Sequence, residues 1–183
     1  MPPAEEHTLV RDCVAIVIPY GSKTLLPKGT TVRVQQRLGE SLTVSADFGG
    51  LYRIDPESFD ALGLEAPAKA EPAHGGGSLP LVDRIWEELR TCYDPEIPVN
   101  IVELGLVYDC RVDAPGQGGR HPVAIKMTLT APGCGMGDVL AQDVRGKLER
   151  MEEVERAEVE IVFDPTWNPS MMSEAARLQL GFF

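Results

Sequence analysis

The chain has 183 residues, 43% hydrophobic and 25% charged, which suits a soluble globular protein of one medium or two small domains. Its formal net charge of -11 excludes nucleic acid and anionic membranes as partners, because long-range electrostatics repel both. The longest apolar run, Val14 to Pro19, is too short for a membrane helix, which takes about 20 residues.

The acidic start, Met1-Pro2-Pro3-Ala4-Glu5-Glu6, has no apolar core of a signal peptide, so the cytoplasm is the expected compartment. From there β signals dominate. Cys13 to Ile18 is a continuous β-rich run, and Thr31 to Gln35 alternates, with Val32 and Val34 inward and Arg33 and Gln35 outward. Leu42-Thr43-Val44 and Leu51-Tyr52-Arg53-Ile54 are two further short strands. Turns fall at Pro27-Lys28-Gly29, Leu38-Gly39-Glu40 and Phe48-Gly49-Gly50. Asp55 as cap, Pro56 at the first position and Gly63 as the stop predict a short helix. Residues 1–64 therefore read as a small, mostly antiparallel β domain. Residues 65–78, rich in Ala, Pro and Gly and lacking large apolar side chains, read as a tether.

Residues 79–183 form the second domain. Leu81, Val82, Ile85, Trp86, Leu89 and Cys92 follow helical spacing, and the loop Asp94-Pro95-Glu96-Ile97-Pro98 ends that helix. Leu106, Tyr108, Cys110 and Val112 alternate with Val107, Asp109 and Arg111, the pattern of a half-buried strand. After the turn at residues 114–119, Val123, Ile125, Met127 and Leu129 make the next inward row. Leu140, Val144, Leu148 and Met151 line a helix face. Ala157, Val159, Ile161 and Phe163 form a third strand, and a last helix runs from near Pro169, capped by Asn168, to Leu180. A hairpin followed by strand–helix–strand gives a small mixed sheet with packed helices. The fold class is α+β, with the small β domain in front.

The chemistry centres on Cys134, in the turn Ala131-Pro132-Gly133-Cys134-Gly135-Met136-Gly137-Asp138. Gly133, Gly135 and Gly137 permit unusual backbone angles, and the start of a helix favours a thiolate. The turn lacks a phosphate-binding lysine and carries Asp138 at the helix start, which excludes a nucleotide loop. Asp94 and Glu96 shape a turn. Glu103, set among Ile101, Val102, Leu104 and Leu106, either finds donors, a cation or a proton, or points to water. In Asp164-Pro165-Thr166-Trp167-Asn168-Pro169-Ser170-Met171-Met172, the residues Trp167, Met171 and Met172 supply adaptable apolar surface, either a lid over the domain's own core or a partner surface. Cys13, Cys92 and Cys110 read as packing residues. Without a Cys-x-x-Cys pair and with dispersed histidines, a preformed zinc site is not expected.

The stretch from Asp94 to Tyr108, then Thr128-Leu129-Thr130-Ala131-Pro132-Gly133-Cys134, then Asp164-Pro165-Thr166-Trp167 resemble the PaaD-like family of iron–sulfur assembly factors. The two-part layout resembles its SufT branch. The resemblance covers residues 80 to 181 and implies an auxiliary factor in iron–sulfur protein maturation, not an enzyme, acting with SUF assembly proteins and client apoproteins. It implies a reactive Cys134 with Asp94 and Glu103 beside it as ligands for iron or an iron–sulfur cluster held transiently. One such cysteine per chain makes a two-fold homodimer attractive. Two alternatives stay open: a thiol-dependent enzyme or redox protein with Cys134 as nucleophile, and a metal-free adaptor.

Overall fold

A continuous run of β-formers at Cys13–Ile18 and the strict alternation around Val32 are the seeds of the N-terminal sheet. The computed structural model describes residues 5–66, 79–94, 96–116, 118–133 and 135–182. The chain divides into two compact units, Met1–Ala70 and Glu71–Phe183. Beyond residue 66, the expected tether lies outside the described residues.

The first unit holds β1 (Glu6–Thr8), β2 (Cys13–Ile18), β3 (Lys23–Leu26), β4 (Thr31–Leu38), β5 (Ser41–Ala46) and β6 (Leu51–Ile54) in one antiparallel sheet of order β1-β4-β5-β6-β2-β3. The bounds of β2 and β6 are those the sequence predicts. The edge strands β1 and β3 are additional, too short and polar to show a periodic signal. Val34 pairs with Val44, and a register shift between Val34 and Gln36 lets β4 run on to Leu38, beyond the expected Gln35. Cys13, Ala15, Leu26, Val32, Leu42, Val44 and Ile54 form the core, closed by Phe59 and Leu62. The helix over Pro56–Leu62 is of the 3-10 type. Asp55 makes no side-chain cap there, and Gly63 ends it at φ 71°.

In the second unit, α1 (Leu81–Leu89) buries Ile85 and Leu89. Strands β7 (Val107–Val112) and β8 (His121–Met127) pair antiparallel. After α2 (Gly137–Glu149), β9 (Val154–Ile161) pairs parallel with β8, giving the order β7-β8-β9. This is the expected mixed sheet with its crossover helix. Ile125, Met127, Leu140, Val144, Leu148 and Ala157 meet Ile85 and Leu89 in a shared core.

Two sequence expectations change. Phe163 is not an inward strand residue: β9 stops at Ile161, and Phe163 is 45% exposed where the chain turns away. The last helix is two pieces, a 3-10 turn over Pro169–Met171 and α3 (Glu174–Leu180). Met172 breaks them by adopting an extended conformation, which sends its side chain into the core. Ser173 then starts α3 afresh by accepting a hydrogen bond from the Ala176 N–H. Among the described residues no helix is long and apolar enough to cross a membrane.

Candidate functional site

The first motif is a loop built by two polar side chains that hold backbone donors. The N–H of Ile101 donates to Cys92 O at 2.9 Å, and Tyr93 and Asn100 form an isolated antiparallel bridge, so the chain folds back on itself just after α1. At its start Asp94 Oδ1 accepts from the Glu96 N–H at 2.9 Å. At its end Asn100 Oδ1 accepts from the N–H groups of Val102 (3.1 Å) and Glu103 (2.9 Å), capping the turn that carries Glu103. The sequence reading passed over Asn100, although Asn ahead of an apolar turn is a capping signal.

Asp94 is 5% exposed, and burial raises its carboxyl above the ordinary aspartate range; the Glu96 N–H opposes that shift and the Glu96 charge adds to it. Glu103 is partly exposed, between the fully buried Ile101 and Leu104. Because the Asp94 pKa is higher folded than unfolded, its proton is favoured by folding. The stability it contributes is present below the unfolded value and is lost as pH rises through the folded one. Asp94→Asn keeps an acceptor for Glu96 and removes the buried charge. This variant is expected to unfold at higher urea than the parent at pH 7, the gap closing in acid. A parent that gains stability relative to Asp94→Asn on raising pH from 4 to 7 contradicts this.

The second motif follows β8. The N–H of Thr128 donates to Leu106 O at 2.8 Å, which joins it to the end of the first motif. Thr128 is 1% exposed, and its hydroxyl has no hydrogen-bond partner among the described residues. The turn then comes to the surface at Ala131, Pro132 and Gly133, the last at φ 81°. Cys134 lies outside the described residues. Beyond it Gly135 is exposed, Met136 is buried at the head of α2, and Gly137 is packed so that a Cβ there stands 2.6 Å from Leu129 Cδ1. The remaining cysteines are packing residues, as expected. Burial pushes the Cys92 thiol up to about 12 and the Cys110 thiol up to about 11, and raises that of Cys13. All three are free. Among the described residues no group of three or more His, Cys, Asp or Glu side chains is placed to hold a metal ion.

The third motif crosses the first as a strap. Trp167 Nε1 donates to Leu104 O at 2.8 Å, the Ser173 N–H donates to Glu103 O at 2.9 Å, and the Tyr108 hydroxyl donates to Pro165 O at 2.8 Å. Tyr108 reaches the strap because the β7 register shifts between Val107 and Asp109, leaving it out of the ladder. At Gly105, φ is 70°, and a Cβ would lie 2.2 Å from the Met171 carbonyl oxygen. Met172 is 5% exposed and belongs to the core, so of the three expected surface residues only Trp167 and Met171 remain partly accessible. The segment covers part of the unit's own core while leaving Trp167 and Met171 partly exposed.

Lys147 completes the frame. It is 4% exposed, yet its Nζ donates to Thr91 O (2.7 Å) and Thr91 Oγ1 (3.0 Å) and lies 3.7 Å from Asp143 Oδ2. This ammonium ties α2 to the end of α1, three residues ahead of Asp94. Its place in an amphipathic helix gave no hint of burial.

The family model described as "Iron-sulfur cluster assembly protein" matches residues 82–161. An "Fe-S protein maturation auxiliary factor" of Porphyromonas gingivalis is 49% identical over 94 residues, 51% of this chain and 85% of that protein. The chain belongs to the iron–sulfur cluster assembly protein family. Two further members are 41% identical: the "Fe-S protein maturation auxiliary factor YitW" of Bacillus subtilis, over 55% of this chain and 94% of that protein, and the "Fe-S protein maturation auxiliary factor SufT" of Staphylococcus aureus, over 48% and 94%. Since 88 residues of this chain cover nearly all of the latter, that family member has no room for the β-rich unit.

Proposed function

We propose that this chain is a non-enzymatic auxiliary factor of iron–sulfur protein maturation that holds iron or a nascent cluster briefly at Cys134. Asp94 and Glu103 serve as hard oxygen ligands beside the soft thiolate. The observation that carries the reading is membership of the assembly family, with relatives named as maturation auxiliary factors. Two features of the second unit support it. The chain invests Asn100, Lys147 and the strap in fixing one loop that bears both acids. Asp94 is a buried carboxylate whose charged form is disfavoured, and a bound cation relieves that cost.

The cluster is cargo. One thiolate and two carboxylates leave a four-iron cluster under-ligated, which suits a carrier that must let go. A second copy of this chain, a SUF assembly protein or the client apoprotein completes the coordination, and the setting is the cytoplasm. The partly accessible Trp167 and Met171 form the client-facing surface.

Cys134→Ser tests this. Anaerobic reconstitution of the full chain with ferrous iron and sulfide should give a visible charge-transfer absorption that the variant lacks, with far-UV circular dichroism unchanged. Maturation of an apoprotein client should fail in the same variant. Equal absorption and equal client activity in Cys134→Ser overturn the proposal, and a covalent adduct at Cys134 during turnover of a small molecule replaces it with a thiol enzyme.

A further inference from the structure

We propose that Met171 is a site of reversible oxidation by peroxide and that its sulfoxide releases the Pro165 end of the strap from Tyr108. Of the five methionines among the described residues, Met127, Met136, Met151 and Met172 are buried, and Met171 alone is partly exposed. Its thioether sulfur lies 3.6 Å from the Tyr108 hydroxyl, which also donates to Pro165 O at 2.8 Å. One hydroxyl carries one proton. A thioether is a weak acceptor and leaves that proton with Pro165.

Oxidation changes the competition. The sulfur lone pair attacks one peroxide oxygen, the O–O bond breaks, and an S–O bond forms. Sulfur is oxidised by two electrons, and hydrogen peroxide is reduced to water, its departing hydroxide taking the remaining proton. The sulfoxide oxygen is a strong, polar acceptor and draws the Tyr108 proton from Pro165. The neighbouring ties, Trp167 to Leu104 and Ser173 to Glu103, are single hydrogen bonds on the same short segment. Loosening one end exposes the others to water. The modification and the loosening stand on the strap geometry; that they reach an iron-handling loop rests on the function proposed above.

The test uses the full-length, metal-free chain in chelator with added hydrogen peroxide, read in two ways. Peptide mass spectrometry should show Met171 sulfoxide accumulating several-fold ahead of sulfoxide at Met127, Met136, Met151 and Met172. In a Trp86→Phe background, where Trp167 is the remaining tryptophan, emission should shift to the red with the same time course. Methionine sulfoxide reductase with a thiol reductant should reverse it. Met171→Leu should abolish the shift while cysteine oxidation proceeds, which separates the two chemistries. Faster hydrogen exchange across residues 165–173 of the oxidised parent gives the same readout without substitution. Met171 oxidising no faster than the buried four overturns the proposal, as does oxidation with neither a Trp167 shift nor faster exchange. Neither measurement depends on iron, so failure of the Cys134 experiment leaves this one intact.

Discussion

Alanine at Gly105 is expected to destabilise the second unit by about 3 kcal/mol, summing a left-handed-backbone cost of roughly 1–2 with an overpacking cost of roughly 1–3. Both contributions are local and visible. The residue sits at φ 70°, where an L side chain is strained, and its Cβ would stand 2.2 Å from the Met171 carbonyl oxygen and 2.8 Å from the carbonyl carbon. The obstacle is main chain, which cannot rotate aside like a side chain. The strap must lift, and lifting it strains the hydrogen bonds to Glu103, Leu104 and Tyr108. Trp86 and Trp167, the two tryptophans of the chain, both lie in this unit, so tryptophan fluorescence in urea follows its unfolding. A midpoint equal to that of the parent would show that the strap does not press on Gly105.

Methionine in place of Lys147 is expected to cost about 2 kcal/mol, the range for hydrogen bonds to a charged group together with the acceptors left behind. Methionine keeps most of the aliphatic stem and the helix preference, so what disappears is the ammonium. The Thr91 carbonyl then loses a 2.7 Å donor and its hydroxyl a 3.0 Å one, in a place with 4% exposure for the lysine. A second change, Thr91→Val, removes the hydroxyl, which also donates to Glu88 O at 2.7 Å, but not the carbonyl. The double variant should therefore be less destabilised than the sum of the two single variants, because both remove the Lys147–Thr91 Oγ1 hydrogen bond. If Lys147→Met unfolds at the same urea concentration as the parent, the ammonium is not the tie between α1 and α2.

How much of this was legible in the sequence depends on whether the signal is periodic. Strands Cys13–Ile18 and Leu51–Ile54, the hairpin β7–β8 and the parallel return through α2 follow from runs and alternations that need no tertiary knowledge. Strands Glu6–Thr8 and Lys23–Leu26 do not, because a three- or four-residue edge strand is recruited by its neighbour's unpaired backbone. Met172 could not be told from a surface methionine, since its burial comes from one extended residue between two helical turns. Lys147 was hidden for the opposite reason, a charged residue on an otherwise ordinary amphipathic helix. In the site, Asp94 and Glu103 were readable as acids near turns. That Trp167, Pro165 and Ser173 hold the turn carrying Glu103 was not, because each of those bonds joins a main-chain atom to a residue far away in the chain.

The grip on Glu103 has a practical corollary. Asn100 holds the residue by its amide hydrogen and Ser173 by its carbonyl oxygen, so both restraints act on the peptide skeleton. Its carboxylate can be swapped for an isosteric amide without cutting either restraint, and the chemistry of the acid can thus be dissected apart from the architecture that presents it.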